Sequence, residues 1–230
     1  YNNHVQGESD SLPDFEPLAM IQSNPSEKKL LLNVDIAINA LSQYSSKDQE
    51  IMRECLGIII GGQCLDLERF GSSKEIIALS NENELDDYAY RVAGSVGEFW
   101  THMSLNHLFK IKDESKEQFF QNGVRFGKAL QLINILRDIP EDLVLGRCYI
   151  PIDRLEDIAL KPEDLIDAGN MDKFRPLYND LIDIASAHLD AAVEYIRMLP
   201  YRQFRLRAAC MLPVLIGQRT LTLLRNNNVL

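Results

Sequence analysis

Helical periodicity dominates the sequence of this chain. Apolar residues between positions 27 and 44 recur at three- and four-residue steps, the spacing of one face of an α-helix. The same spacing predicts further long helices at positions 46–66, 85–109, 116–138, 171–199 and 201–224, and a short helix at 75–79. Alternation of apolar and polar residues, which is typical of β-strands, does not extend over a useful length. The sequence therefore predicts an all-α fold.

Capping and breaking residues set the expected ends of these helices. Ser46 followed by Gln49 has the spacing of a capping box at the start of the second helix. Glycine and proline residues interrupt positions 141–163, which we predict to be the one long irregular stretch. Ordered loops of this kind often carry functional residues.

Length and composition favour one folded domain. The 230 residues are 46% hydrophobic and 25% charged, which is enough to bury one large core. Positions 1–26 are polar and are predicted to be an N-terminal segment, whereas positions 27–230 are predicted to form the helical domain. Charged residues and a proline interrupt the apolar run at 206–224, so we expect a buried helix there rather than a membrane anchor.

Charge and cysteine content exclude several classes of function. A formal net charge of -10 and a pI near 4.9 argue against a protein that binds nucleic acid by neutralising phosphates. The four cysteines have neither the C-x-x-C spacing nor the histidine pairing of a zinc site. Positions 1–25 lack the order of charges and apolar residues of a signal peptide. We therefore expect reduced thiols in a cytoplasmic protein.

Oxygen-bearing side chains share one face of the helix predicted at 116–138. At 100° per residue, Gln131, Asn134 and Asp138 lie on this face, and Asp142 follows if the helix continues. Pro140 is expected to kink the last turn. Oxygen ligands at this spacing suit Mg2+, which binds through one or two carboxylates together with substrate phosphates. The alternative is that the carboxylates only end a helix and enter a solvated loop.

Two stretches of the sequence resemble the squalene/phytoene synthase family, whose members join two prenyl diphosphates head to head. Gln-x-x-Asn-x-x-Arg-Asp-x-x-x-Asp at 131–142, followed by Gly-Arg-x-Tyr-x-Pro at 146–151, is similar to the family's second aspartate-rich signature. Tyr-x-x-x-Val-Ala-Gly-x-Val-Gly at 88–97 is similar to a helix of the same family. With weaker similarity at 61–67 and in the last helix, the resemblance covers about positions 27–224.

The resemblance implies a prenyltransferase-type bundle of helices around a central apolar cavity. It implies that Asn134, Asp138 and Asp142 hold Mg2+, so that the allylic C–O bond of a prenyl diphosphate ionises. The family chemistry implies a cyclopropyl diphosphate intermediate and a product such as squalene, dehydrosqualene or phytoene, with NADPH as a further cofactor if the product is squalene. The resemblance implies farnesyl or geranylgeranyl diphosphate as the substrate, and the sequence does not decide between them.

The resemblance also assigns roles to side chains near these ligands. Asp138, Asp142, Arg137 and Tyr149 are expected to be catalytic, with Arg137 either contacting phosphate oxygens or pairing with Glu141. The expected substrate-binding residues are Gln131, Asn134, Val92, Gly94, Val96, Gly97 and Arg147.

Several residues keep two interpretations. Gly94 and Gly97 either permit close helix packing or leave room for prenyl chains. Asp66 either supports the metal site or is a surface carboxylate. The four histidines lack the spacing of a two-histidine metal site on a helix, so we expect them to be structural.

The family's first Asp-x-x-x-Asp motif is not found in its usual place. Asp10 and Asp14 have the right spacing, but a proline and polar neighbours make them a poor match, and Asp86-Asp87 lies where the family has no metal ligand. We expect this motif, with the N-terminal helices that carry it, either to lie upstream of Tyr1 or to have been lost. Because the family uses both acidic motifs to hold metal ions, the activity is expected to depend on that segment. The alternative function is a catalytically silent relative that binds lipid or acts in assembly.

The remaining partners also follow from the resemblance. Prenyl diphosphates are the expected ligands, and the oligomeric state is not indicated. A very apolar product favours peripheral association with a membrane surface, although no basic amphipathic helix is evident in the sequence.

Overall fold

Residues 13–71 and 75–230 are described by the computed structural model. The chain divides into two compact units, Tyr1–Ile60 and Gly61–Leu230, and the boundary lies within one long helix. The prediction of one helical domain at 27–230 stays a prediction.

Short helices make up most of the described part of the first unit. They are α1 (Glu16–Ile21), α2 (Pro25–Leu31), α3 (Val34–Asn39) and a 3-10 turn (Ala40–Gln43), followed by the start of α4 (Ser46–Phe70). The single helix predicted at 27–44 is therefore wrong. The side-chain amide of Asn33 donates to the Lys29 carbonyl at 2.7 Å, and Asn33 itself has non-helical dihedral angles. A side chain that bonds to nearby backbone in this way competes with the helix.

The cap of α4 lies one residue before the predicted one. Ser45 Oγ accepts from the backbone N–H of Asp48 at 3.2 Å and donates to the Asp48 carboxylate at 2.7 Å. The Gln49 side chain instead donates to the Tyr44 carbonyl at 2.9 Å. The predicted Ser46–Gln49 box is wrong because both serines fit the consensus and only the backbone geometry selects between them.

Long helices build the second unit, as predicted. Their bounds agree with the expected ones to within about three residues, apart from a π-helical segment at Tyr90–Gly94 that interrupts the predicted helix at 85–109. The helices are α5 (Glu82–Ala89), α6 (Ser95–His107), α7 (Lys116–Arg137), α8 (Ile139–Val144), α9 (Ile152–Asp157), α10 (Met171–Met198) and α11 (Phe204–Asn226), with 3-10 turns at Asp113–Ser115, Pro162–Ile166 and Ala168–Asn170.

A short parallel strand pair replaces the helix predicted at 75–79. Strand β1 (Ile77–Ala78) pairs with β2 (Arg147–Cys148), and Ile77 lies opposite Arg147. The partner is about 70 positions away, so local periodicity carries no sign of this pairing. The stretch at 141–163 is also less irregular than predicted, because it holds the end of α8, strand β2 and helix α9.

Pro140 places the expected kink between α7 and α8. Helix α7 ends at Arg137, Asp138 leaves the helical geometry, and α8 begins at Ile139 with the proline in its first turn. A proline is tolerated at this position because the N–H it lacks has no partner there. The backbone N–H of Asp142 still donates to the Asp138 carbonyl at 2.9 Å, so the two carboxylates stay one turn apart.

Close packing of α6 on α7 depends on small residues at their crossing. A Cβ added to Gly97 would lie 1.9 Å from the Gly123 carbonyl oxygen, and one added to Gly127 would lie 2.0 Å from the Ala93 carbonyl oxygen. Helix α7 also packs along α10, where the buried hydroxyl of Tyr178 donates to the Leu136 carbonyl at 2.9 Å. The core of the unit therefore surrounds α7.

Helix α11 buries only one side, which corrects the expectation of a buried helix. Leu206, Cys210, Val214, Gly217 and Leu221 face the core, whereas Leu212, Leu215 and Ile216 are between 55% and 61% exposed. Across residues 13–71 and 75–230, none of the helices combines the length and apolarity that a membrane crossing requires.

Candidate active site

The junction of α7 and α8 carries the predicted aspartates. Asp138 forms a two-pronged ion pair with its neighbour, Arg137 Nε and Nη2 lying 2.6 Å and 2.7 Å from its two carboxylate oxygens. The structure thus pairs Arg137 with Asp138 rather than with Glu141. Both side chains are partly exposed, so the pair is open to ligands from solvent.

Asp66, a residue of α4, is buried against β2, where it binds two predicted site residues. The Tyr149 hydroxyl donates to Asp66 at 3.2 Å, and Arg147 Nη1 lies 2.9 Å from the same carboxylate. Only 7% of Asp66 is exposed. The surface-carboxylate interpretation is therefore wrong. Asp66 links Arg147 of β2 and the neighbouring Tyr149 to helix α4.

Tyr88 completes this cluster, and sequence reasoning did not assign it. Its ring stacks on that of Tyr149 with centroids 4.5 Å apart, and Phe70 contacts the same ring edge-on at 5.3 Å. Burial raises the pKa of both phenols, Tyr88 and Tyr149, so both are neutral near pH 7. The sequence did contain a signal for this residue, because Tyr88 is the first position of the stretch 88–97 that resembles a helix of the family.

Negative charge accumulates around Asp142. Burial, followed by repulsion from Asp138, raises the pKa of Asp142 to about 6, and Asp66 and Glu141 act in the same direction while Arg147 opposes them. Burial also raises the pKa of Asp66, against the lowering effects of Arg147 and the Tyr149 hydrogen bond. The structure thus brings Asp66 and Asp138 each within electrostatic reach of Asp142.

The donor atoms here fit a magnesium ion by their chemistry. Asp138 and Asp142 offer hard carboxylate oxygens, and Mg2+ takes one or two of these together with water and phosphate oxygens. Within the described residues, no group of three or more His, Cys, Asp or Glu side chains is arranged to hold a metal. Asn134 is exposed and Gln131 is half-buried, so their ligand roles stay predictions.

An apolar pocket of about 330 Å³ lies between α6, α7, α10 and α11. Of the predicted substrate-binding residues, Val96 and Gly97 are among its walls, whereas Val92 and Gly94 are not. Their role in substrate binding stays a prediction. Its lining residues are Ala93, Val96, Gly97, Trp100, Gly123, Phe126, Gly127, Leu130, Tyr195, Ala209, Cys210 and Pro213. From Leu130 to Asp138 at the end of α7 the rise is about 12 Å, so the pocket lies along α7 and the aspartates lie at and just beyond its C-terminal end.

The two glycines differ in their surroundings. Gly97 contacts Gly123, which confirms close helix packing there, and it also lines the pocket. Room for prenyl chains at this glycine stays a prediction. Gly94 instead packs against neighbours, because an added Cβ would lie 3.0 Å from the Tyr90 ring and 3.3 Å from Val124.

Other acidic and histidine side chains lie in local contacts. Asp86 pairs with Lys128 at 2.7 Å, and Asp87 pairs with Arg91 at 2.8 Å. The Asp14 carboxylate accepts a hydrogen bond from the backbone N–H of Glu16 at 2.9 Å. Asp10 and His4 lie outside the described residues. The ring of His102 packs on Phe120, and His188 Nδ1 accepts a hydrogen bond from Arg125.

Comparison with known proteins identifies the family. The sequence model for squalene/phytoene synthase matches residues 16–229. The chain belongs to the squalene/phytoene synthase family. It is 33% identical over 150 residues to a 15-cis-phytoene synthase of Synechocystis sp., and 32% identical over 123 residues to a bifunctional lycopene cyclase/phytoene synthase of Gibberella fujikuroi. These alignments cover 61% and 53% of this chain, and 41% and 21% of the relatives.

The fold of the family is also found in a solved structure. Squalene synthase HpnC from Alicyclobacillus acidocaldarius superposes with a TM-score of 0.62 at 20% identity, over 98% of this chain and 79% of that one. This likeness confirms the all-α fold. Since the chain spans less than half the length of the two sequence relatives above, its substrates and activity are matters for proposal.

The Asp66–Tyr149 hydrogen bond gives a stability prediction. Tyr149→Phe leaves a buried carboxylate with one donor fewer, so we expect the free energy of unfolding to fall by about 2 kcal/mol. Urea denaturation at pH 7 measures the change, and a double-mutant cycle with Asp66→Asn should show a coupling of about 1 kcal/mol. Tyr201→Phe is the control, because Tyr201 is 90% exposed and should change nothing. Additive effects of the two variants would contradict the assigned bond.

Proposed function

We propose that this chain provides the catalytic region of an enzyme that condenses two prenyl diphosphates head to head. The observation that carries the proposal is a polar cluster of Asp66, Asp138, Asp142 and Tyr149 at one end of α7, with an apolar pocket further along the same helix. A diphosphate head and a prenyl tail need these two environments side by side. Family membership supports the same reaction class.

Asp138 and Asp142 are the residues that would hold magnesium in this proposal. When bound there, Mg2+ supplies charge neutralisation for the diphosphate leaving group. Arg137 and Arg147 add guanidinium groups at the edge of the site, and such groups bind phosphate oxygens in a planar, two-pronged manner. Asp66 fixes Arg147 by an ion pair, so that this arginine is positioned before the substrate arrives.

The phenols and the apolar pocket act on the hydrocarbon part of the substrate. Tyr149 is held by Asp66 and Tyr88, and as a neutral phenol it orients the reacting carbons or moves a proton near them. The pocket keeps water from the allylic cation that forms when the C–O bond breaks. Its walls hold few polar groups, and the Tyr195 hydroxyl is engaged with Thr101 at 3.1 Å.

Geranylgeranyl diphosphate is the first substrate to test, because the two sequence relatives above are named as phytoene synthases. Farnesyl diphosphate is the second, and it would give squalene or dehydrosqualene. Only squalene formation would consume NADPH, so the reaction with and without this cofactor separates the two products.

The experiment measures diphosphate release by the full-length protein and extracts the lipid product. We expect both to require Mg2+, to stop with a chelator, and to yield a hydrocarbon with twice the carbon number of the substrate. Binding of the prenyl diphosphate without release would instead indicate a silent relative. Absence of both binding and release would overturn the proposal.

A further inference from the structure

The turn between α10 and α11 presents aromatic and basic side chains together. Tyr201 is 90% exposed and Phe204 is 67% exposed, although large aromatic rings normally pack inside. Arg202 and Arg205 alternate with them and are also exposed. Gln203 donates to the Leu108 carbonyl at 2.8 Å, which ties the turn to the exposed Leu108 at the end of α6. We call Leu108, Tyr201, Arg202, Phe204 and Arg205 the aromatic tip.

Charge is distributed very unevenly along this chain. After Glu194 the sequence contains six arginines and neither Asp nor Glu, although the whole chain has a formal net charge of -10. Within this region Arg197 pairs with Glu194, Arg225 pairs with Asp183, and Arg207 donates to backbone carbonyls. Arg202, Arg205 and Arg219 are exposed, and the first two belong to the aromatic tip, where the Arg205 guanidinium lies 5.8 Å from the centroid of the Phe204 ring. A local positive patch on an acidic protein points to an anionic partner.

We propose that the aromatic tip docks this protein on an anionic membrane surface. Aromatic rings with adjacent arginines match the two layers of such a surface, because the rings enter the boundary of the acyl chains while the guanidinium groups meet lipid phosphates. The first acidic residues after Leu108 in the sequence are paired with lysines, since Asp113 lies 2.6 Å from Lys116 and Glu114 lies 3.7 Å from Lys112. The tip thus supplies the basic apolar surface that periodicity in the sequence did not show.

The tip also lies at a useful place in the second unit. Trp100 of the apolar pocket is about two helical turns before Leu108 on α6. If the pocket holds prenyl chains, as under the proposed function, the aromatic tip lies about 12 Å along α6 from the pocket, at the end of α6 away from its first turn.

Vesicle binding tests the docking surface without any substrate. We expect the protein to sediment with vesicles that contain phosphatidylglycerol and to stay in solution with pure phosphatidylcholine. Each arginine contributes roughly 5-fold to binding near an anionic surface. Arg202→Glu with Arg205→Glu should therefore weaken binding by at least ~25-fold, and Tyr201→Ser with Phe204→Ser by at least ~10-fold. Circular dichroism checks that both double variants are folded.

A matched control makes the same change of charge elsewhere. Lys28 and Lys29 are exposed or half-exposed on α2, and Lys28→Glu with Lys29→Glu should leave vesicle binding unchanged. No binding to phosphatidylglycerol vesicles, or equal binding by the tip variants, overturns the proposal. So does a dimer in sedimentation equilibrium that Tyr201→Ser with Phe204→Ser dissociates, because the tip would then bind a second copy. None of these outcomes bears on prenyl transfer, which is measured separately.

Discussion

Asp142→Asn is expected to reduce magnesium-dependent release of diphosphate by at least ~100-fold. The substitution keeps the volume of the side chain but removes the charge on which a divalent cation depends. Burial and the negative charge of Asp138 raise the pKa of Asp142 to about 6, so a bound divalent cation would relieve the repulsion between the two carboxylates. Asp138→Ala is expected to reduce diphosphate release by a similar factor. This substitution also removes the ion-pair partner of Arg137.

Asp157→Asn is the matched control for this prediction, because Asp157 is an exposed carboxylate on α9 and should leave turnover unchanged. Isothermal titration with Mg2+ and inorganic diphosphate gives a readout apart from turnover, and both site variants should lose the heat of joint binding. Full turnover in Asp142→Asn would contradict the assignment of the metal site. Loss of turnover with intact joint binding would assign Asp142 a role in chemistry rather than in metal binding.

Gly97→Ala is expected to lower the free energy of unfolding by about 3 kcal/mol, even though alanine favours helix. Its Cβ would lie 1.9 Å from the Gly123 carbonyl oxygen, and a backbone atom within a helix cannot turn away as a side chain can. Helices α6 and α7 must therefore separate. Gly127→Ala should act similarly, since its Cβ would lie 2.0 Å from the Ala93 carbonyl oxygen. Urea denaturation monitored by circular dichroism measures both changes.

Gly61→Ala makes the same chemical change where space is open. The nearest atom to an added Cβ is the end of the flexible Arg91 side chain at 3.8 Å, and Gly61 lies inside α4. We expect this variant to gain up to ~1 kcal/mol from helix propensity. A loss of stability in Gly61→Ala as large as that in Gly97→Ala would show that the contact between α6 and α7 is not the cause.

Periodicity predicted the long helices because each buries one continuous face against a neighbour. Apolar residues three and four positions apart in the sequence form that face. It failed where the backbone finds a different partner. Asn33 bonds to the Lys29 carbonyl and ends a helix that the apolar pattern continues. Ile77 and Ala78 pair with a strand about 70 positions away, which no window of local sequence contains.

The order of residue types at 131–142 and 88–97, read from the sequence alone, determined the family and the all-α fold, and both are confirmed. The turn at Pro140 was predictable for the same reason, since proline acts on its own backbone. The tertiary structure alone decided that Asp66 is buried against Tyr149 and Arg147, and that Tyr88 stacks on the same ring. Those contacts join segments more than 60 positions apart, and their energies come from burial and charge, which depend on what surrounds a side chain rather than on its neighbours in sequence.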